Sequence, residues 1–331
     1  MTEIIAGIYQ FQTPIPNNPL GSTNTYLIQG DNERLLIDPG MNTDESFEAL
    51  EKGLAEIDLG FKDITQIIAT HAHGDHYGLS VRIKQRSQAR ILMHHLSGDL
   101  IQSMSSNMEN RLQQMDQWLS INGVPKLEQS EMQRAIQRMP RFIVPATPDI
   151  TLKGDETISV NSFSIRVLWT PGHSPGHICL YESTRKILFS GDHILPFTFP
   201  NVSLQPQSKT NPLDDFINSV NLVKQLDIAL VLPGHEHSFN DLAKRAEELI
   251  RHRRQRNTDI LEAIKTEAKT AYQISSEIIW QPHKGGIRFR DLPTWDRRLA
   301  VTETLAHLES MRTKEKVNKF TRDNLTYYQL T

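Results

Sequence analysis

Apolar residues in this chain gather in short runs that each stop at a polar turn. Thr25 to Ile28, Gly30-Asp31-Asn32, and then Leu35 to Ile37 predict two strands around a turn, closed by Asp38-Pro39-Gly40. Residues 45 to 57 carry the spacing of an amphipathic helix. Ile64 to Ala69 is β-branched and apolar and predicts a strand that runs into Thr70-His71. The same arrangement recurs: Ile165 to Trp169 leads into Thr170-Pro171-Gly172-His173, Ile187 to Ser190 into Gly191-Asp192, and Ile228 to Leu232 into Pro233-Gly234-His235. Four predicted strands therefore each deliver a residue of ligand type to a loop at the strand end, where a rigid sheet can hold chemistry in place.

From about Ser97 to Pro148 the pattern turns helical. Ile101, Met104, Met108, Leu112, Met115 and Leu119 recur at helical spacing, and a second helical stretch follows near Glu128 to Met139. This reads as a helical insertion at about 97–148. Methionine faces adapt to varied ligands, yet such a stripe is more often plain core than a lid. Beyond His235, a charged helical stretch from Asp241 to about Ala268, the segment Thr270 to Ser275, and a helix from Leu292 or Thr294 to Met311 precede a predicted hairpin. That hairpin pairs Val317–Phe320 with Leu325–Tyr328 around 321–324. Two domains are expected, 1–240 and 241–331.

Composition narrows the picture only slightly. A net charge of −3 gives no global reason to expect nucleic acid or a membrane as partner. Residues 241–331 are mildly basic, with 18 Lys+Arg against 13 Asp+Glu, and Arg251, Arg253, Arg254 and Arg256 form one basic run. Without interleaved aromatics, a solvated helix face or a packing module explains that run better than a nucleic-acid surface. The single cysteine, Cys179, excludes an internal disulfide framework and reads as a buried structural thiol. Neither an export signal nor a membrane-spanning run is evident, so a cytoplasmic protein is expected, with no membrane partner.

The chemistry concentrates in His71-Ala72-His73-Gly74-Asp75-His76, which offers four donors in six residues at a strand tip. Imidazole and carboxylate without thiolate suit Zn²⁺, with Fe or Mn as alternatives. Alternate residues of such a turn can face one metal while Asp75 and His76 face a second. His173, Asp192 and His235 would each pass singly for an ordinary capped turn or a satisfied core polar group. Their joint order is the specific signal.

That order, Thr-His-Ala-His-Gly-Asp-His, Thr-Pro-Gly-His-Ser-Pro-Gly-His, Ser-Gly-Asp and Pro-Gly-His, preceded by Ile-Asp-Pro-Gly, resembles the metallo-β-lactamase superfamily over residues 1 to about 240. The resemblance implies an α+β fold, an αββα sandwich with two divalent metal ions at one edge between two β-sheets. It implies His71, His73 and His173 on the first metal, Asp75, His76 and His235 on the second, and Asp192 bridging both. Asp38 matches a position that buttresses the site by hydrogen bonds. His177 stays open as a substrate contact, a support for the ligands or a structural hydrogen bonder. His193 and His237 match no motif, and His94, His95, His252, His283 and His307 carry no functional expectation. The segment Gly21 to Leu27 and the region after 240 resemble a branch with a C-terminal winged-helix-like domain, which includes lactamase-like endoribonucleases and polyketide thioesterases.

Two metals can share a water, lower its pKa toward about 7 and present a bridging hydroxide to a carbonyl or phosphoryl group. Asp75, besides ligating, is the expected proton carrier and hence the catalytic residue. Asp192 together with His76 departs from true β-lactamases and resembles the set in thioesterases such as glyoxalase II, lactonases and nucleases. The leading expectation is hydrolysis of a thioester or related acyl ester of a small molecule; the rivals are a metal-dependent endoribonuclease acting on RNA and a lactonase. A mono-iron persulfide oxygenase and a non-catalytic DNA-binding regulator are the readings from other classes, and a homo-oligomer is compatible with all of them.

Overall fold

The computed structural model describes residues 1–137, 144–281 and 285–331. Strand alternation explains its layers. In Ser22–Gln29 (β3) every residue from Thr23 to Ile28 is buried, because both faces of its sheet are covered. Leu27, with Leu36 and Ile67 of neighbouring strands, packs outward on Phe47, Leu50 and Leu54 of the helix Asp44–Ala55 (α1). Ile28, with Leu35, Ile37 and Ile68, faces inward onto Ile165, Val167, Leu180 and Phe189 of a second sheet. Two sheets face to face with helical cover outside follow from that period of two.

The first sheet holds seven strands in chain order: Thr2–Ile5 (β1), Ile8–Pro14 (β2), β3, Arg34–Ile37 (β4), Gln66–Ile68 (β5), Arg90–His94 (β6) and Ile150–Leu152 (β7). It is antiparallel from β1 to β4 and parallel from β4 to β7. The second sheet runs Leu230–Pro233 (β12), Ile187–Gly191 (β11), Ile178–Glu182 (β10), Phe163–Trp169 (β9) and Thr157–Val160 (β8). The strand expected over 64–69 is the shorter β5, because Phe61–Asp63 closes a 3-10 turn ahead of it. The short helix Gly74–Tyr77 (α2) and the helix Ser80–Ser87 (α3) continue from the loop after β5.

The chain divides into two compact units: Met1–Ser106, Arg141–Pro200 and Ser219–Ala246 in one, and Asn107–Pro140, Asn201–Asn218 and Glu247–Thr331 in the other. The apolar stripe from Ile101 to Leu119, which reads as one helix face, is split. His95–Ser106 (α4) ends ahead of Asn107, which leaves helical geometry at φ −141° and ψ 31°, and Met108–Ile121 (α5) starts anew. Ile101 packs with Ala69, Tyr77 and Met93, whereas Met115 and Leu119 join the second unit's core. Lys126–Gln137 (α6) covers most of the second expected helix, and its last residues, 138 and 139, lie outside the described residues.

In the second unit, Ile260 and Ile264 of Leu242–Ala263 (α8), Ile274 of Ala271–Glu277 (α9), Val301, Leu305 and Leu308 of Thr294–Thr313 (α10), and Val317 and Tyr328 share one core. Pro212–Lys224 (α7) supplies Phe216 to this unit. The terminal hairpin is longer than the pattern predicts. Val317–Arg322 (β15) and Leu325–Leu330 (β16) pair down to Arg322 opposite Leu325, leaving Asp323 and Asn324 as a two-residue turn at φ 51° and 61°. Asp and Asn tolerate that left-handed geometry, which matches the strand twist. Ile279–Trp280 (β13) and Ile287–Arg288 (β14) form a second small ladder. Among the described residues no helix is long and apolar enough to cross a membrane.

Candidate metal centre

Four segments, distant in sequence, bring the predicted donors together. The loop after β5 carries His71 and His73 and leads into α2 with Asp75 and His76; the β9–β10 loop carries His173; Asp192 follows the end of β11; and His235 lies in the loop after β12. The side chains sort into two groups, His71, His73, His173 and Asp192, and Asp75, His76 and His235, with the donor atoms of each group within 4.8 Å of one another. His73 Nδ1 stands 2.9 Å from His71 Nε2 and 3.1 Å from His173 Nε2. In the second group, His76 Nε2 and His235 Nε2 are 3.2 Å apart, with Asp75 Oδ2 3.5 Å from His235 Nε2.

Asp192 faces both groups. Its Oδ2 lies 3.7 Å from His173 Nε2 and 4.0 Å from His71 Nε2, and its Oδ1 lies 3.4 Å from both His76 Nε2 and His235 Nε2. Oδ1 is buried and has no hydrogen-bond partner among the described residues. Imidazole nitrogens and carboxylate oxygens that converge from four segments, with the buried Asp192 Oδ1 left without a hydrogen bond among them, are the donor set that suits a divalent cation. The donor chemistry and its two-fold grouping therefore suit a pair of metal ions.

The outer nitrogens explain the aim of the inner ones. His76 Nδ1–H donates to Asp38 Oδ2 at 2.8 Å, and His235 Nδ1–H donates to the Ser22 carbonyl at 2.8 Å, so each ring turns Nε2 inward. Asp38 also accepts from the Thr70 amide and hydroxyl, both at 2.7 Å, and the Thr70 oxygen stands 3.0 Å from His71 Nδ1. One carboxylate, buried at the end of β4 with φ 50°, thus orients imidazoles of both groups. His177 is buried beside them. Its Nδ1 lies 2.9 Å from the Thr170 hydroxyl oxygen, and its Nε2 accepts the Asp192 amide at 3.1 Å, so it holds the backbone that carries Asp192.

Burial drives the His71 imidazole well below its usual range, with His76 and His73 adding to the effect, and drives His73 down to about 3. For Asp192, burial opposes ionisation but is outweighed by His235 and His76, which hold the carboxyl well below its ordinary value. His71 and His73 are thereby neutral imidazoles beside the ionised Asp192 carboxylate, the protonation state in which such groups ligate metal.

Close backbone approach is built in. A Cβ on Gly234 would meet Asp192 Oδ1 at 2.6 Å and His76 Cε1 at 2.8 Å. Gly191, at φ 49°, sits where a Cβ would meet His177 Nε2 at 2.8 Å. Sequence reasoning assigned no role to Asn24, Tyr26 or Glu236. Asn24 Nδ2 donates to the carbonyls of Pro233 and Glu236, and the Tyr26 hydroxyl donates to that of Pro233. Glu236, at φ 66°, accepts from the Phe197 and Thr198 amides and so ties the loop after His235 to the loop after Asp192. The Gly21–Leu27 run contains the only hint of the first two, because their partners lie more than 200 residues away.

His193 is buried and His237 is exposed against Phe197, and neither belongs to the two groups. His94, His95, His252 and His307 also stand outside them, and His283 lies outside the described residues. Cys179 is buried, and burial pushes its thiol up to about 12, leaving it inert as a ligand or nucleophile at neutral pH.

Comparison with known proteins identifies the family. The model of the metallo-β-lactamase superfamily matches residues 18–235. The chain is 25% identical over 315 residues to the probable metallo-hydrolase YqjP of Bacillus subtilis (strain 168), covering 94% of each protein. It is 29% identical over 226 residues to the human acyl-coenzyme A thioesterase MBLAC2, covering 65% of this chain and 74% of that one. A metallo-β-lactamase family protein from Thermus thermophilus superposes with a TM-score of 0.83 at 30% identity, over 99% of this chain and 100% of that one. A β-lactamase domain protein from Burkholderia ambifaria, at 22% identity, shares the fold with a TM-score of 0.84 over 100% of this chain and 94% of its own. The chain belongs to the metallo-β-lactamase superfamily and is a hydrolase of that superfamily.

Proposed function

We propose that this member of the metallo-β-lactamase superfamily hydrolyses a thioester or related acyl ester of a small molecule at a two-metal centre. His71, His73 and His173 would hold one ion, Asp75, His76 and His235 the other, and Asp192 both. The observation that carries the reading is the division of Asp192 between the two groups, Oδ2 toward one and Oδ1 toward the other. Imidazole and carboxylate donors without thiolate favour Zn²⁺, with Fe or Mn as the alternatives. The acyl class draws support from the relative named an acyl-coenzyme A thioesterase.

The chemistry that two divalent cations supply when bound is Lewis acidity toward the scissile carbonyl and acidification of a water. The residues of the chain do the rest. Asp38 and Thr70 keep the imidazoles aimed, and His177 keeps Asp192 in place. Asp75, whose side chain is 19% exposed against 10% for Asp192, is the carboxylate that can exchange a proton with the attacking water and the leaving group. Helices α8, α9 and α10 followed by the hairpin support reading the region after 240 as a winged-helix-like domain. An RNA-binding face there gains nothing from the basic run. Arg251 and Arg254 are exposed, but Arg253 and Arg256 are only 1% and 3% exposed, so the four do not share one solvated surface.

The test is turnover of an acyl-thioester panel by metal-loaded protein, followed by thiol release, with His71→Ala as the control. Release that disappears in His71→Ala is the expected result. No release from protein shown to contain two metal ions per chain overturns the thioester assignment, and an RNA and lactone panel then identifies the hydrolase class.

A further inference from the structure

Among the described residues, the loops that carry the metal donors present one exposed large apolar side chain, Phe197 on the segment after Asp192, which is 59% exposed. A single exposed ring is ordinary on a protein surface; what distinguishes this one is the backbone beneath it. Glu236 Oε2 accepts the Phe197 amide at 2.9 Å, and Oε1 accepts the Thr198 amide at 3.2 Å and the Thr198 hydroxyl at 2.7 Å. Arg245, itself buried, donates through Nε to the Leu195 carbonyl at 2.7 Å and through Nη2 to the carbonyls of Phe197 and Thr198 at 3.1 and 2.8 Å. Glu236 holds its post in left-handed geometry at φ 66°, a strain that a non-glycine residue keeps only where its surroundings fix it, and its own carbonyl accepts Asn24 Nδ2 at 2.8 Å. A carboxylate and a guanidinium thus hold an apolar ring out in water.

The ring also stands near the donors. Two residues of chain reach at most about 7 Å, which bounds the distance from the His235 backbone to that of the exposed His237, and the Phe197 ring packs on the His237 ring with centroids 4.8 Å apart. We propose that Phe197, backed by His237, is the specificity-determining contact for an apolar acyl chain of the substrate. The inference rests on the acyl-hydrolase reading for its ligand: a carbonyl held at the two donor groups leaves its alkyl chain to lie along the loops around them, and Phe197 is the exposed apolar surface those loops offer. The amides and carbonyls of Phe197 and Thr198 and the Thr198 hydroxyl are already engaged by Glu236 and Arg245, so a polar acyl group covering the ring would lose water there without finding these partners free. A loop fixed in advance also binds an alkyl chain without losing freedom of its own.

The probes are straight-chain carboxylates, the acid products of such a reaction, from acetate through hexanoate to decanoate. They are titrated calorimetrically into the metal-loaded full chain, so the readout is binding and not turnover. Affinity should rise with alkyl length in the parent. In Phe197→Ala the affinity for decanoate should fall roughly tenfold, the worth of covering most of a phenyl ring, with acetate affinity and metal content unchanged. Phe197→Leu, which keeps an apolar surface, should recover much of the loss. No binding by the metal-loaded parent overturns the proposal, as does an affinity that ignores alkyl length or a length dependence equally steep in Phe197→Ala. Thiol release from acyl thioesters of matching lengths separates the two readings. Release whose length preference is the same in parent and Phe197→Ala overturns the Phe197 contact alone. Absence of release from a parent whose decanoate binding depends on Phe197 overturns the thioester assignment and leaves the contact standing.

Discussion

The two units bury ionisable groups by opposite means. In the first, five imidazoles and two carboxylates from four strand-end loops point their donor atoms at one another, and the hydrogen bonds that orient them come from behind, through Asp38, Thr70 and Ser22. In the second, helix spacing does the work. Arg253 and Arg256 on α8 face inward and are partnered in place, Arg253 by Glu303 of α10 and Arg256 by the Ile279 carbonyl at 2.9 Å and the Trp280 ring at 4.2 Å. A buried cluster whose members partner each other is a structural device. One whose members share an unmatched centre is built for something that binds there.

The sharpest way to break the contrast is at Asp192. Asp192→Ala should reduce hydrolysis to background and lower the metal content, measured by turnover and elemental analysis, with little change in the far-UV spectrum. Unchanged activity would mean that the two groups do not act together. Next in size is the support shell. Asp38→Ala should cost roughly 10–100-fold in metal affinity or activity, because it unties His76 and Thr70 without removing a donor. A loss no larger than that of an exposed aspartate such as Asp44 would remove that role.

In the second unit, Glu303→Ala should cost about 3–5 kcal/mol in chemical denaturation, since it leaves Arg253 buried without its 2.8 Å partner. Turnover per folded molecule should change far less than it does in Asp192→Ala.

The smallest effect expected is a pH dependence at His94, outside both clusters. Burial, then His95, lowers its imidazole from 6.5 to about 4. The unfolded chain therefore binds the proton more readily between those values, and stability contributed by neutral His94 is present above pH 6.5 and lost as pH falls toward 4. Denaturation midpoints across that range should fall less steeply in His94→Asn than in the parent, and parallel curves would remove the assignment.

The donor constellation was legible because each ligand follows an apolar strand and sits in a turn of its own. Strand and turn are local properties, so the positions of His71, His173, Asp192 and His235 could be read one segment at a time. The same local reading misjudged the stripe from Ile101 to Leu119, where the irregular Asn107 separates two helices that pack in different cores. It also joined Arg251, Arg253, Arg254 and Arg256 into one basic run, although helical spacing places Arg253 and Arg256 inside.

Periodicity and motif order along the chain suffice for the family, the sandwich of alternating strands and the identity of the candidate donors. Folding was needed to settle which oxygen of Asp192 meets which imidazoles, which groups Asp38 holds, that His177 holds the Asp192 backbone, and that Asn24 and Tyr26 brace the Pro233–Glu236 loop. The reason is physical: a strand or turn is set by neighbours along the chain, whereas the direction of a ring nitrogen is set by a hydrogen bond from a segment that only folding brings near.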